Sequence, residues 1–115
     1  MTLQEIADGL VSLCRQGKFR EAMDAYYADD IITVEAQGDP RELKGIDACR
    51  GKAQWFDGTF ETLDCQVEGP WLNDPCFLAK FSIKVRQRET GEESVMDEYA
   101  LYSVHDGKVV HERFF

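Results

Sequence analysis

Positive charge is scarce in this chain. Its 115 residues hold 13 Lys and Arg against 22 Asp and Glu, a net charge of -9. A protein that neutralises phosphates or settles on an anionic membrane surface needs the opposite balance, so neither partner is expected. Glycine and proline are few, at nine and three, while 43% of residues are apolar, including seven Phe, four Tyr and two Trp. Such a chain buries too much apolar surface to stay disordered. Long apolar runs are absent, and none approaches the roughly 20 residues of a membrane helix. Glu5 and Asp8 stand where a secretory signal wants positive charge and then an unbroken apolar stretch. A soluble, cytoplasmic protein is expected.

Closely spaced cysteines are missing too. Cys14, Cys49, Cys65 and Cys76 form no CxxC or CxxxC pair, so a zinc knuckle or a redox dithiol has no local support. Four free thiols in a reducing compartment are the expected state. The two histidines, His105 and His111, occupy ordinary turn and strand positions and mark no metal site. No glycine-rich phosphate loop is present, and no cofactor is indicated.

What is there reads as one domain over residues 1–115, large enough for a single core. Thr2 and Glu5 have the spacing of a capping box. Leu3, Ile6, Leu10 and Leu13 then recur at helical spacing, widened by Ala7, Val11 and Cys14, until Gly17. A second, short helix is predicted from Lys18 to Tyr27, with Tyr26 on its apolar face and Tyr27 at the edge. Ile31–Glu35 reads as a strand by its β-branched residues, and residues 36–44 as a loop. A third helix, Gly45 to Gly58, carries Ile46, Cys49, Ala53 and Phe56 as its buried stripe, with Trp55 beside it.

The period then changes from helical to two-fold. Four strands follow, joined by short turns at Gly69-Pro70, Glu89–Glu92 and His105–Gly107. Phe77, Ala79, Phe81, Ile83 and Val85 share one face. Met96, Glu98, Ala100, Tyr102 and Val104 share the next. On the last strand Val110, Glu112 and Phe114 are expected to face the core, opposite Val109, His111, Arg113 and Phe115. Three N-terminal helices packed on a mostly antiparallel sheet make an α+β fold. The far sheet face mixes Lys80, Lys84 and Arg86 with Tyr99 and Leu101, which suits a homodimer joined sheet to sheet.

Order and local wording together resemble the NTF2-like superfamily, and within it the SnoaL-like domains. The residues that carry the resemblance are Tyr27-Ala28-Asp29-Asp30, the Gly45-Ile46 helix start, and the run from Leu101 to Val110. The resemblance covers essentially the whole chain and implies a cone-shaped (cystatin-like) roll, in which a curved sheet wraps three helices and leaves a pocket at the open end. It also implies pairing through the sheets. The superfamily includes ketosteroid isomerases, polyketide cyclases and dehydratases beside non-catalytic binding and association domains, so the fold does not choose a function.

Three carboxylates on apolar faces are the candidate catalytic groups: Glu35, Glu98 and Glu112. A carboxylate in an apolar pocket has its acid strength weakened toward the range where it takes and returns a proton near neutrality. Placed without a gap, Glu35 falls where the isomerases keep their proton-shuttling aspartate; one inserted residue would put Ala36 there. The isomerase oxyanion tyrosine falls at Leu10-Val11 and its partner aspartate near Ala100, so the isomerase donors are absent. Tyr26 and Tyr102 are the candidate replacement donors. Trp55, Phe60, Trp71, Met96 and Phe114 complete the candidate ligand-binding set, which suits an apolar or weakly acidic small molecule. Isomerisation, cyclisation or dehydration by proton transfer is the leading reading. Ligand binding without catalysis, or homodimeric association, is the alternative.

Overall fold

Thr2 starts the first helix in the computed structural model, which describes Met1–Phe115. Its hydroxyl accepts from the Glu5 amide at 3.1 Å, and the Glu5 carboxylate accepts from the Thr2 amide at 2.9 Å, the reciprocal box that the spacing predicts. Helix α1 (Leu3–Arg15) buries Ile6, Ala7, Leu10, Val11 and Cys14. Helix α2 (Phe19–Tyr26) follows after Gly17. The chain then passes without a loop into strand β1 (Tyr27–Val34), so Tyr27 is extended, not helical.

The segment expected to be all loop contains a short strand, β2 (Glu42–Lys44). It pairs antiparallel with Ile32–Val34, and the Glu35 amide donates to the Arg41 carbonyl at 2.7 Å. Gly45 caps helix α3 (Ile46–Thr59) at a φ of 91°, a conformation that penalises any side chain. Strands β3 (Phe60–Asn73), β4 (Cys76–Gln87), β5 (Glu93–His105) and β6 (Lys108–Phe114) follow through tight turns; Gly69-Pro70, expected as a turn, lies instead inside β3 at a shift of register, and the β3–β4 turn is Asp74-Pro75.

One six-stranded sheet results, in the order β2-β1-β6-β5-β4-β3. Every neighbouring pair is antiparallel except β1 and β6, which are parallel. The C-terminal strand is thereby central. The β4 alternation holds as read: Phe77, Ala79, Phe81, Ile83 and Val85 are all buried. They meet α1, Ala100, Tyr102 and Val109 in one core cluster, where the Phe77 and Tyr102 rings stack with centroids 4.7 Å apart. No helix is long and apolar enough to cross a membrane.

The last strand departs from strict alternation. Ser103 pairs with His111, but Val104 pairs with Val109, leaving Val110 as an extra residue. The bulge reverses the parity behind it. Val109, not Val110, is therefore the fully buried residue, while Glu112 keeps its inward place. Strand β1 is irregular at the same level, with Tyr27 beside Val109 and Ile32 beside His111. Asp29 and Asp30 swing out there, and Tyr27, Ile31 and Thr33 all stay buried.

Candidate functional site

Strand order decides what surrounds Glu112. Thr33 of β1 and Tyr102 of β5 are its register partners on either side. All three point into the core, and Glu112 is only 5% exposed. A buried carboxylate must be paired, hydrogen-bonded or protonated. Here the Thr33 hydroxyl donates to one carboxyl oxygen at 2.8 Å, and the Tyr27 hydroxyl donates to the other. Burial still prevails over those two hydrogen bonds and a nearby lysine, and holds the Glu112 acid above its ordinary value. Burial, and then the Glu112 charge, also pushes the Tyr27 and Tyr102 phenols well up.

That lysine is Lys52 of α3. Its ammonium pairs with the Glu35 carboxylate and lies 4.6 Å from the centre of the Phe114 ring. Glu35 sits one residue beyond β1, three-quarters buried as a side chain. Cys49, one turn before Lys52, is buried, and burial followed by the Glu112 charge pushes its thiol up to about 11.

Glu98 completes the group. It lies on β5 in register with Phe81, half-buried on the inner face. Unlike Glu35 and Glu112, it makes no hydrogen bond or ion pair within the protein. Burial raises its acid; Lys52 opposes this, while Glu35 and Glu112 add to it. The same four charges therefore act on one another: Glu35, Lys52, Glu98 and Glu112. Two carboxylates have fixed partners and one is free.

The other candidate residues divide. Tyr102, Met96 and Phe114 share the inner face with the carboxylates. Phe60 stands at its edge, 5.2 Å from the Phe56 ring and 6.2 Å from that of Trp55. Trp55 is 62% exposed. Trp71 pairs with Leu78, which alternates with the buried β4 residues and so faces outward. Tyr26 turns its hydroxyl to α1, where a Cβ on Gly9 would lie 1.9 Å from it. Thr33 and Lys52 were not singled out in the sequence, and Tyr27 was noted only at the edge of a helix and in the family resemblance, with no role at the site. Lys52 had a signal: it falls on the buried α3 stripe between Cys49 and Phe56. Two surface depressions lie away from the cluster. One, of about 390 Å³, is lined by Gly58, Thr59, Gln87, Arg88 and Glu89. The other, of about 140 Å³, is lined by Gln66, Glu68, Lys80, Ser82 and Asp97.

A family model described as the SnoaL-like domain matches residues 1–115. A solved protein from Mesorhizobium loti, suggested to be a SnoaL-like polyketide cyclase, is 40% identical, with 100% of this chain and 99% of that one covered and a TM-score of 0.93. An NTF2-like protein from Burkholderia thailandensis is 17% identical over 100% of this chain and 90% of its own, with a TM-score of 0.84. A protein of ketosteroid-isomerase-like fold from Catenulispora acidiphila, solved with trimethylamine, is 11% identical over 99% and 86%, with a TM-score of 0.78. No curated protein matches the chain. The chain belongs to the SnoaL-like family, and its fold is that of the NTF2-like protein from Burkholderia thailandensis.

Proposed function

We propose that this SnoaL-like protein is a small-molecule enzyme that moves a proton, in an isomerisation, cyclisation or dehydration, with Glu98 as the acid–base group. The observation that carries this reading is the state of Glu98. It is half-buried among Phe81, Met96 and Ala100, has no partner in the protein, and has its acid raised by burial and by two neighbouring carboxylates. A catalytic acid–base group needs an acid strength closer to neutrality than a solvated carboxylate has, and at least one open coordination site for the substrate. Glu35 lacks the open site because Lys52 holds it. Glu112 has its two oxygens engaged by Tyr27 and Thr33. These two set the field around Glu98, and the apolar residues Met96, Phe60 and Phe114 suit an organic substrate. The suggested cyclase role of the Mesorhizobium relative points to the same reaction class.

The test is proton exchange, which needs no knowledge of the product. A panel of small organic carbon acids is incubated with the protein in deuterium oxide and followed by mass. Exchange is expected for a subset and is expected to fall by at least about 100-fold in Glu98→Gln, the lower range for loss of a general base. Exchange undiminished in that variant, or none with any member, refutes the assignment.

A second copy of the chain is the partner we propose for the outer sheet face. Val95, Tyr99 and Phe115 are exposed there, between basic Lys80, Lys84 and Arg86 and acidic Glu93 and Asp97, so the face is apolar and complementary to itself. Sedimentation of the wild type and Tyr99→Glu tests it: a dimer that the variant dissociates is expected, and a monomer refutes it.

A further inference from the structure

Lys52 is an unusual residue for the place it occupies. It follows Cys49 by three residues and precedes Phe56 by four, so it lies on the helix stripe that faces the core. Its side chain is 36% exposed and reaches back over the Phe114 ring to Glu35. It is the one positive charge acting on Glu98 and on Glu112. Other cations have their own places: Arg50 between Asp24 and Asp47, Arg15 on the Val67 and Gly69 carbonyls, Lys108 on the Ala25 carbonyl.

Proton abstraction moves charge without creating it. When the Glu98 carboxylate takes a proton from carbon beside a carbonyl, the C–H electron pair becomes the new C=C bond. The carbonyl π pair then moves onto oxygen. Glu98 ends neutral and the substrate oxygen carries the negative charge. Charge developing beside Glu98 meets the same two carboxylates that act on Glu98 itself, Glu35 and Glu112. Of the hydroxyls nearby, Tyr27 and Thr33 are spent on Glu112, and Tyr102 is engaged with Tyr27. A cation offsets this repulsion, and an ammonium positioned where charge develops contributes more in a water-poor site than in solvent.

We propose that Lys52 is a catalytic residue that receives the enolate oxygen, exchanging Glu35 for the substrate. The proposal rests on the proton-transfer reading and deepens it. Returning the proton from Glu98 to a carbon of the enolate completes an isomerisation, with no other reactant. Glu35 is the resting counter-ion. It keeps Lys52 charged and aimed, and competes with the substrate for it.

The test uses 4-nitrophenol, whose ionised form carries its charge on oxygen as an enolate does and absorbs in the visible, unlike the neutral phenol. Binding is followed by that absorbance in wild type, Lys52→Met, Lys52→Arg, Glu35→Gln and Glu98→Gln. Wild type is expected to bind the phenolate. Lys52→Met, of similar length but uncharged, is expected to lose phenolate affinity by at least about tenfold, and Lys52→Arg to restore it. Glu35→Gln, which frees Lys52, is expected to bind it more tightly. Amide spectra of each variant establish that it is folded. Wild type that binds only neutral phenol or none, or Lys52→Met with unchanged phenolate affinity, overturns the proposal. Glu98→Gln separates the two readings: it is expected to keep the phenolate and lose deuterium exchange. Exchange retained there refutes Glu98 as the base and leaves the Lys52 result to be judged by its own arms.

Discussion

Replacing Glu112 by Gln should make the fold less sensitive to alkali. Two effects oppose each other at this carboxyl. Burial favours the neutral form; hydrogen bonds from Tyr27 and Thr33, and then the Lys52 charge, favour the ionised one. Burial prevails, so the folded-state value lies above the ordinary 4.5. Below that ordinary value, folded and unfolded chains both hold the proton and Glu112 costs the fold nothing. Between the ordinary and the raised value the folded protein holds more proton than the unfolded chain, so stability falls as pH rises. Above the raised value the loss is complete. The slope for one proton is at most about 1.4 kcal/mol per pH unit. Glutamine has no proton to lose, and removing the Glu112 charge also relieves Glu98, an effect of the same sign. At acid pH the two proteins should differ by about 1 kcal/mol or less, because the Tyr27 and Thr33 hydroxyls can turn to accept as well as donate. Urea unfolding across the acid-to-neutral range, with equal denaturant slopes, measures the difference curve. The wild type should lose ground to the variant as pH rises. A wild type that gains ground would mean that the two hydroxyls and Lys52 outweigh burial, and the account of this site would be wrong in sign.

Gly9→Ala should destabilise the protein although alanine is the better helix former by about 1 kcal/mol. The new Cβ would lie 1.9 Å from the Tyr26 hydroxyl and 2.6 Å from its ring carbon, and overpacking of this kind costs about 1–3 kcal/mol. A thermal melt of Gly9→Ala and of Gly9→Ala with Tyr26→Leu checks the cause: a single variant that melts higher than wild type rejects it. Cys14 and Cys49 should resist alkylation in the folded protein, because burial pushes their thiols up to about 12 and about 11. Peptide mapping after iodoacetamide treatment should find both labelled only in urea, and labelling of either at its unfolded rate would contradict their burial.

Local patterns made much of the fold legible. Thr2 with Glu5 marked where α1 begins, and the apolar stripe behind them its buried face. The unbroken two-fold run from Phe77 to Val85 gave β4 its orientation, because a strand in contact with helices on one side repeats every second residue. Non-local geometry was not legible. The bulge at Val110 moves Val109 inward, and nothing in Lys108–Phe114 announces it. Residues 42–44 are too few and too polar to read as a strand; pairing with β1 makes them one. Tyr27 reads as the edge of α2, but the helix stops one residue short. The extended backbone at Tyr27 is what carries its hydroxyl to Glu112. Lys52 was visible as a charge on an apolar stripe, where a long side chain usually reaches solvent. What it reaches depends on Glu35 and Phe114, which lie on other elements.

The three glutamates shared one description in the sequence, a carboxylate among apolar neighbours, and the strand order separates them. Because β6 lies between β1 and β5, Glu112 falls between Thr33 and Tyr102, residues that no local pattern could associate with it. It is thereby enclosed and bound on both oxygens. Glu35 emerges at the end of β1 facing α3, where Lys52 neutralises it. Glu98 lies two residues before Ala100 on β5, in register with Phe81 of β4, and no side chain of the protein pairs with it. Pairing partners that hold the other two carboxylates leave Glu98 the one with a site to offer a substrate. That division of labour, not the count of acidic residues, is why the chemistry is assigned to Glu98.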